Sequence, residues 1–241
     1  MWTLQRPDGG WQWPFRDTPP IKSDEHFGVT LAALGTGVAP ENYADNPAAR
    51  KGLAGIRKFL KAQPPSSLHQ KAMVMWAGVH VADLLTAEER AQTVKALAAA
   101  QRPDGGWSLA SLVDNRDDPH RQTEAGRNAR ADKGHGAEFL IFVGSDKVYK
   151  SSLASDGYAT GLTVYVLRQA GVPADDVQIR RGVAWLKSQQ RESGRWFTPS
   201  QAWHTHNLIA NAGTAYAVLA LHACGEIPGP LRKTKPPASP P

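Results

Sequence analysis

Apolar positions along this chain recur with helical spacing, in two alternating kinds of segment. The first kind is amphipathic. Residues 87–100 follow a candidate N-cap at Thr86, and ahead of Gln190 the side chains of Val177, Ile179, Val183, Trp185 and Leu186 fall on one side of a helix. Arg180, Arg181 and Lys187 fall largely on another side. The second kind, at 27–35, 71–85, 158–171 and 208–224, is apolar around most of its circumference and rich in small residues, as expected of a helix enclosed by others. Pairing an enclosed inner helix with an amphipathic outer one gives units at 24–63, 68–107 and 156–196, each of about 40 residues, with a half unit at each end. Such pairs cannot bury their faces alone and must stack on one another as a solenoid or a closed ring.

Each unit is expected to close in a turn, and the turns repeat. Gln5-Arg6-Pro7-Asp8-Gly9-Gly10-Trp11 recurs unchanged as Gln101-Arg102-Pro103-Asp104-Gly105-Gly106-Trp107, and Gln190-Arg191-Glu192-Ser193-Gly194-Arg195-Trp196 keeps Gln, Gly and Trp at the same offsets. The first helix pair has Pro64-Pro65 where its closing turn is due. Because the chain opens at Trp2, inside a repeat whose outer helix is missing, it is expected to be a fragment of a longer protein. The repeat domain, 1–227, carries an irregular insertion at about 113–150 that is full of charge and then apolar at 139–143. Residues 228–241 form a Pro-rich basic tail that cannot build a core and is expected to be solvated and extended.

With 241 residues, 41% of them hydrophobic, the chain can bury a core as one domain. It has no apolar run of the roughly 20 residues that span a bilayer, and residues 1–20 lack the layout of a secretory signal. The single cysteine, Cys224, excludes an intrachain disulfide and any multi-cysteine metal cage, and its apolar helix makes it a small buried hydrophobe. A net charge of +6 favours anionic partners, in part through the tail, but no basic stripe is interleaved with aromatics, so nucleic acid is not an expected partner.

Arg181-Gly182, Trp185-Leu186, Gln190, Gly194 and Trp196 reproduce the glutamine-tryptophan motif of the squalene-hopene and oxidosqualene cyclases, at that family's spacing. The chain thus resembles squalene cyclase-like and prenyltransferase-like repeat proteins over about residues 4–225. The resemblance implies an all-α fold, an α/α toroid (a partial α-α barrel) of helix-pair repeats. It implies a terpenoid cyclase-like activity, an intramolecular transferase or isomerase that polycyclises or binds an apolar isoprenoid-type molecule in a central cavity. Peripheral membrane contact goes with such a ligand. No cofactor is expected. The motif itself is structural: Gln reaches backbone groups at a neighbouring helix end, Gly permits a left-handed turn and Trp covers the junction.

Cyclases of this family protonate an alkene with an Asp-x-Asp-Asp-Thr-Ala segment at an inner-helix start, where a carboxyl must stay protonated and aromatic faces stabilise cations. Asp156-Gly157-Tyr158-Ala159-Thr160-Gly161 keeps the first Asp and the Thr and replaces the central acids with Tyr and Ala. Asp156 is therefore a candidate acid, and equally a helix N-cap. Asp24 and Glu25 offer paired carboxylates at another inner-helix start, and equally complement a helix dipole. Phe27, Trp76, Tyr158, Tyr165 and Tyr216 would line the centre if they point inward, with Trp203 and His204 at the rim; core packing explains the five inner-helix aromatics as well. Asp114, Asp117 and Asp118 faintly resemble magnesium-binding aspartate clusters but read as a solvated loop. His204 and His206 lack a third metal ligand, so no metal site is expected. Two other functions stay open: a non-catalytic repeat module binding a lipid or protein, and a pectate-lyase-like polysaccharide lyase, suggested by Gly9-Gly10-Trp11-Gln12-Trp13-Pro14-Phe15 and the basic charge.

Overall fold

The computed structural model describes residues 1–12, 25–113, 154–199 and 208–227. Among them are eight α-helices and no strand, so the protein is all-α in these parts: α1 (Glu25–Val38), α2 (Pro47–Ala62), α3 (Leu68–His80), α4 (Ala87–Ala99), α5 (Leu109–Val113), α6 (Gly157–Gln169), α7 (Val177–Gln189) and α8 (Leu208–Ala223). Short 3-10 turns at Trp2–Leu4 and Tyr43–Asp45 complete the list. The expected insertion, the aspartates at 114–118 and the tail lie outside the described residues.

Helix starts follow the side chains available to satisfy free N–H groups. Ser67 and Thr86 each form a capping box with a side chain three residues on, Gln70 and Glu89, so the expectation at Thr86 holds. Asn46, with Pro47 at the first helical position, caps α2, and Asp176 caps α7. One boundary moves: α3 spans Leu68–His80, not 71–85. The capping box starts it early, and the left-handed Asp83 (φ 60) turns the chain before Thr86 begins α4.

The enclosed helices α1, α3, α6 and α8 lie side by side in that order, and the amphipathic α2, α4 and α7 pack on α1, α3 and α6 respectively. One core runs through α3, α4, α6, α7 and α8 around Trp107, Trp196, Leu162 and Leu186, while the other joins α1, α2 and α3 around Ile56, Phe59 and Val29; half-buried Trp76 touches both. Glycine sets the closest approach, since a methyl on Gly161 of α6 would collide with the backbone of α8 at Tyr216 and Ala217.

The three turns have the same construction. The second-residue N–H donates to the carbonyl four residues on (Arg6 to Gly10, 2.9 Å; Arg102 to Gly106, 2.9 Å; Arg191 to Arg195, 3.0 Å). Gly9, Gly105 and Gly194 stand at φ 93, 92 and 75. Each indole N–H donates to the carbonyl ten residues earlier: Trp11 to Met1 (3.3 Å), Trp107 to Leu97 (2.7 Å) and Trp196 to Leu186 (2.7 Å). The glutamine amide holds the turn glycine's carbonyl, and in the first two turns it also reaches the next outer helix: Gln5 donates to Gly52 (2.9 Å) and Gln101 to Gln178 (2.8 Å). These partners lie inside the early turns of α2 and α7, where each carbonyl's second lone pair is free to accept. Arg181 completes the junction by donating to the carbonyls of Arg102 and Pro103, and Gly182 leaves room for the Trp107 ring.

A methyl on Gly105 would sit 2.8 Å from the Arg181 carbonyl oxygen, whereas Gly171 (φ 95) has open space around it. Gly171→Ala therefore measures backbone strain alone, about 1 kcal/mol, and Gly105→Ala adds the clash, for a total of about 2–3 kcal/mol. Urea unfolding followed by tryptophan fluorescence compares the two; equal losses would mean that α7 does not press on the turn.

Candidate functional site

Asp156 sits where three segments meet. Its own N–H donates to the Trp107 carbonyl (2.9 Å), its Oδ1 accepts from the Ala159 N–H (2.9 Å) and the Thr198 hydroxyl (3.2 Å), and its Oδ2 accepts from the Leu109 N–H (2.6 Å). The side chain thus caps α6 and ties the turn after α4 to the segment after α7. Threonines extend the junction: Thr160 accepts from the Trp107 N–H (2.9 Å), Thr198 from the Tyr158 N–H (2.8 Å) and Thr214 from the Trp196 N–H (3.2 Å). Burial raises the Asp156 carboxyl to about 6, and its hydrogen bonds oppose the rise.

Glu25 lies at a different junction, in the first turn of α1, paired with Arg6 of the first turn motif. Burial raises its pKa and the Arg6 charge lowers it. Arg6 also pairs with Asp8 at 2.8 Å. The structure therefore does not unite Glu25 with Asp156, and Asp24 lies outside the described residues, as do Trp203 and His204.

The aromatics behave differently: all five come together, joined by a histidine. Phe27 of α1 stacks on His69 of α3 (centroids 6.0 Å apart), and His69 stacks on Tyr158 of α6 (5.8 Å). Tyr158 meets Tyr216 of α8 edge to face (5.0 Å), Tyr216 meets Trp76 of α3 (6.1 Å), and Trp76 meets Tyr165 of α6 (5.3 Å, 88° between planes). These are favoured ring geometries, and the belt crosses all four inner helices. Phe27, His69 and Tyr158 are buried, while Trp76, Tyr165 and Tyr216 keep part of their surface exposed. His69 Nε2 and the Tyr158 hydroxyl are 2.9 Å apart, and burial lowers the imidazole to about 4, so it is neutral near pH 7. Burial raises the Tyr165 and Tyr216 hydroxyls, the latter offset by a hydrogen bond with Tyr158.

Sequence reasoning missed His69 and Thr198, and it named Thr160 only as a motif residue, without its bond to the Trp107 N–H. The signal was weak, since His69 is followed directly by Gln70 and Lys71 and precedes the apolar run that marked the helix. Among the described residues no group of three His, Cys, Asp or Glu side chains is placed to hold a metal, and no helix is long and apolar enough to cross a membrane. In comparisons with known proteins, the chain matches no family model and no curated sequence.

The buried titrating groups set a pH dependence of stability. Between about pH 4 and 6 folded Asp156 keeps a proton that the unfolded chain has released, so its contribution falls as pH rises. His26 and His69, both lowered from 6.5 to about 4, lack protons that the unfolded chain holds between about pH 4 and 6.5, so their contribution rises with pH. Glu25, its pKa also raised, acts with Asp156, and the two histidines outweigh them, leaving a net gain of at most about 1.4 kcal/mol per pH unit from pH 4.5 to 6. Urea midpoints across that range should increase, and His69→Phe should flatten the slope; a midpoint that falls with pH would place the histidines in water.

Proposed function

We propose that the protein is a helix-pair repeat domain of the squalene cyclase-like kind, its inner helices curving into a toroid, and that it binds an apolar isoprenoid-type molecule at the aromatic belt without protonating it. The observation that carries this reading is the contrast between the two kinds of predicted site residue. Trp76, Tyr165 and Tyr216 converge from three inner helices and keep exposed ring surface, which suits an uncharged ligand rich in C–H groups and double bonds. Asp156, the counterpart of the family's acid, has both oxygens engaged by backbone and threonine donors, and no second carboxyl stands beside it in Asp156-Gly157-Tyr158-Ala159. A carboxylate held by several donors is a capping group, not an acid poised to give up a proton.

The staples at Gln101 and Gln190 support the family reading, because each motif residue performs a definable mechanical task. Gly9, Gly10 and Trp11, which begin the stretch with the lyase resemblance, belong to a turn that makes the same bonds as its repeats, which accounts for these three without a sugar ligand; residues 13–15 lie outside the described residues. An isoprenoid partitions into membranes, so contact with a lipid surface accompanies this reading.

Titrating the full chain with squalene in detergent should quench tryptophan fluorescence, and Trp76→Ala with Tyr216→Ala should weaken the response about tenfold or more. Mass spectrometry after long incubation should show unchanged squalene. Cyclic products would overturn the non-catalytic part; no response from squalene, farnesol or geranylgeraniol would overturn the ligand class.

A further inference from the structure

Polar atoms of the aromatic belt form a line from the interior outward. His69 and Tyr158 are almost fully buried, and His69 Nε2 lies 2.9 Å from the Tyr158 hydroxyl. The Tyr158 hydroxyl is in turn hydrogen-bonded to that of Tyr216, whose ring stands edge to face with it at 5.0 Å. Tyr216 is half-buried, so the line ends at the partly exposed side of the belt, where Trp76 and Tyr165 also lie. The Tyr165 hydroxyl is close enough to that of Tyr216 for their charges to interact. Burial raises the pKa of both hydroxyls, as expected of groups drawn out of open water.

Packing alone accounts for the inner part of this line. A buried neutral imidazole needs a hydrogen-bond partner, and Tyr158 supplies one. Tyr216 and Tyr165 exceed that need. A phenol can donate one hydrogen bond and accept two, and among the described residues Tyr216 spends one of these on Tyr158 while Tyr165 spends none. Phenylalanine at either position would give the same ring contacts with Trp76 without a partly desolvated hydroxyl. The line has two polarities, set by the His69 tautomer. If His69 donates, Tyr158 donates on to Tyr216 and the Tyr216 proton is left for a further partner; if His69 accepts, Tyr216 donates inward and its lone pairs are left. A ligand group that both donates and accepts suits either arrangement, and a hydroxyl is such a group.

We propose that the ligand of the belt carries a hydroxyl group, hydrogen-bonded by Tyr216 while its chain lies against Trp76 and Tyr165, and so is an isoprenoid alcohol and not a hydrocarbon. This rests on the isoprenoid reading of the belt and narrows it. The belt contains no lysine or arginine, and its imidazole is neutral near pH 7, so a phosphorylated head would meet no countercharge from it.

The test titrates geranylgeraniol and the hydrocarbon of the same carbon skeleton into the full chain in one detergent, read by tryptophan fluorescence. The ratio of their dissociation constants is compared between the unmutated chain and Tyr216→Phe, since detergent partitioning enters both ratios equally and cancels. The advantage of the alcohol should fall about three- to tenfold in Tyr216→Phe, the worth of one hydrogen bond. Tyr165→Phe should keep most of that advantage, and its loss there instead would overturn the assignment to Tyr216. With carbon-13 at the tyrosine Cζ atoms, the alcohol should shift one tyrosine signal of the unmutated chain well beyond the change that the hydrocarbon causes; equal shifts would overturn the proposal whether or not the variants fold. An unchanged ratio with both ligands bound would overturn the hydroxyl and leave the isoprenoid reading standing, whereas binding of neither would remove that reading itself. Tighter binding of geranylgeranyl diphosphate than of the alcohol would also overturn the proposal, by showing that a cation faces the head group.

Discussion

The hydrogen bond on which this architecture rests is that of a buried indole N–H to a carbonyl ten residues earlier. It folds the ends of α4 and α7 back on themselves and delivers the chain to the next inner helix. Trp107 and Trp196 are almost fully buried, so leaving the N–H unpaired would cost the desolvation of a polar group in a closely packed interior. The glutamine amide adds the lateral bond from turn to next helix, and a positive-φ glycine is needed because a side chain there would strain the backbone and, at Gly105, strike α7.

The same junctions decide the fate of the ionisable groups. Asp156 is recruited into capping because its helix starts where two turns converge, each with an N–H or hydroxyl needing an acceptor. Glu25 is recruited into an ion pair with Arg6 at the corresponding place on another inner helix. The inner-helix aromatics meet one another instead, from the first turns at Phe27 and Tyr158 to Trp76 and Tyr165 further along, giving a belt in which the neutral His69 imidazole lies between Phe27 and Tyr158.

Much of this was legible in the primary structure. Periodicity located six of the eight described helices, the 24–63 repeat unit implied α2 without giving its bounds, and the short α5 was missed; the identical heptapeptides announced equivalent turns, because each requires Gln, Gly and Trp at fixed offsets. The boundary of α3 was not legible: its start depends on the Ser67–Gln70 capping box and its end on the extended backbone at Val81, both local choices that apolar periodicity does not encode. Asp156 could be read as acid or cap, and the deciding donors come from Leu109 and Thr198, 47 and 42 residues away.

The sequence by itself determined the helical class, the pairing of inner with outer helices and the positions of the staples, since those depend on local spacing and on side chains with one feasible task. Only the tertiary structure decided which carboxylates are occupied, that His69 belongs among the aromatics, and that Gln5 and Gln101 reach a following outer helix. Those facts rest on neighbours brought together across tens of residues, and burial and hydrogen-bond supply there are properties of the packed array rather than of any one segment.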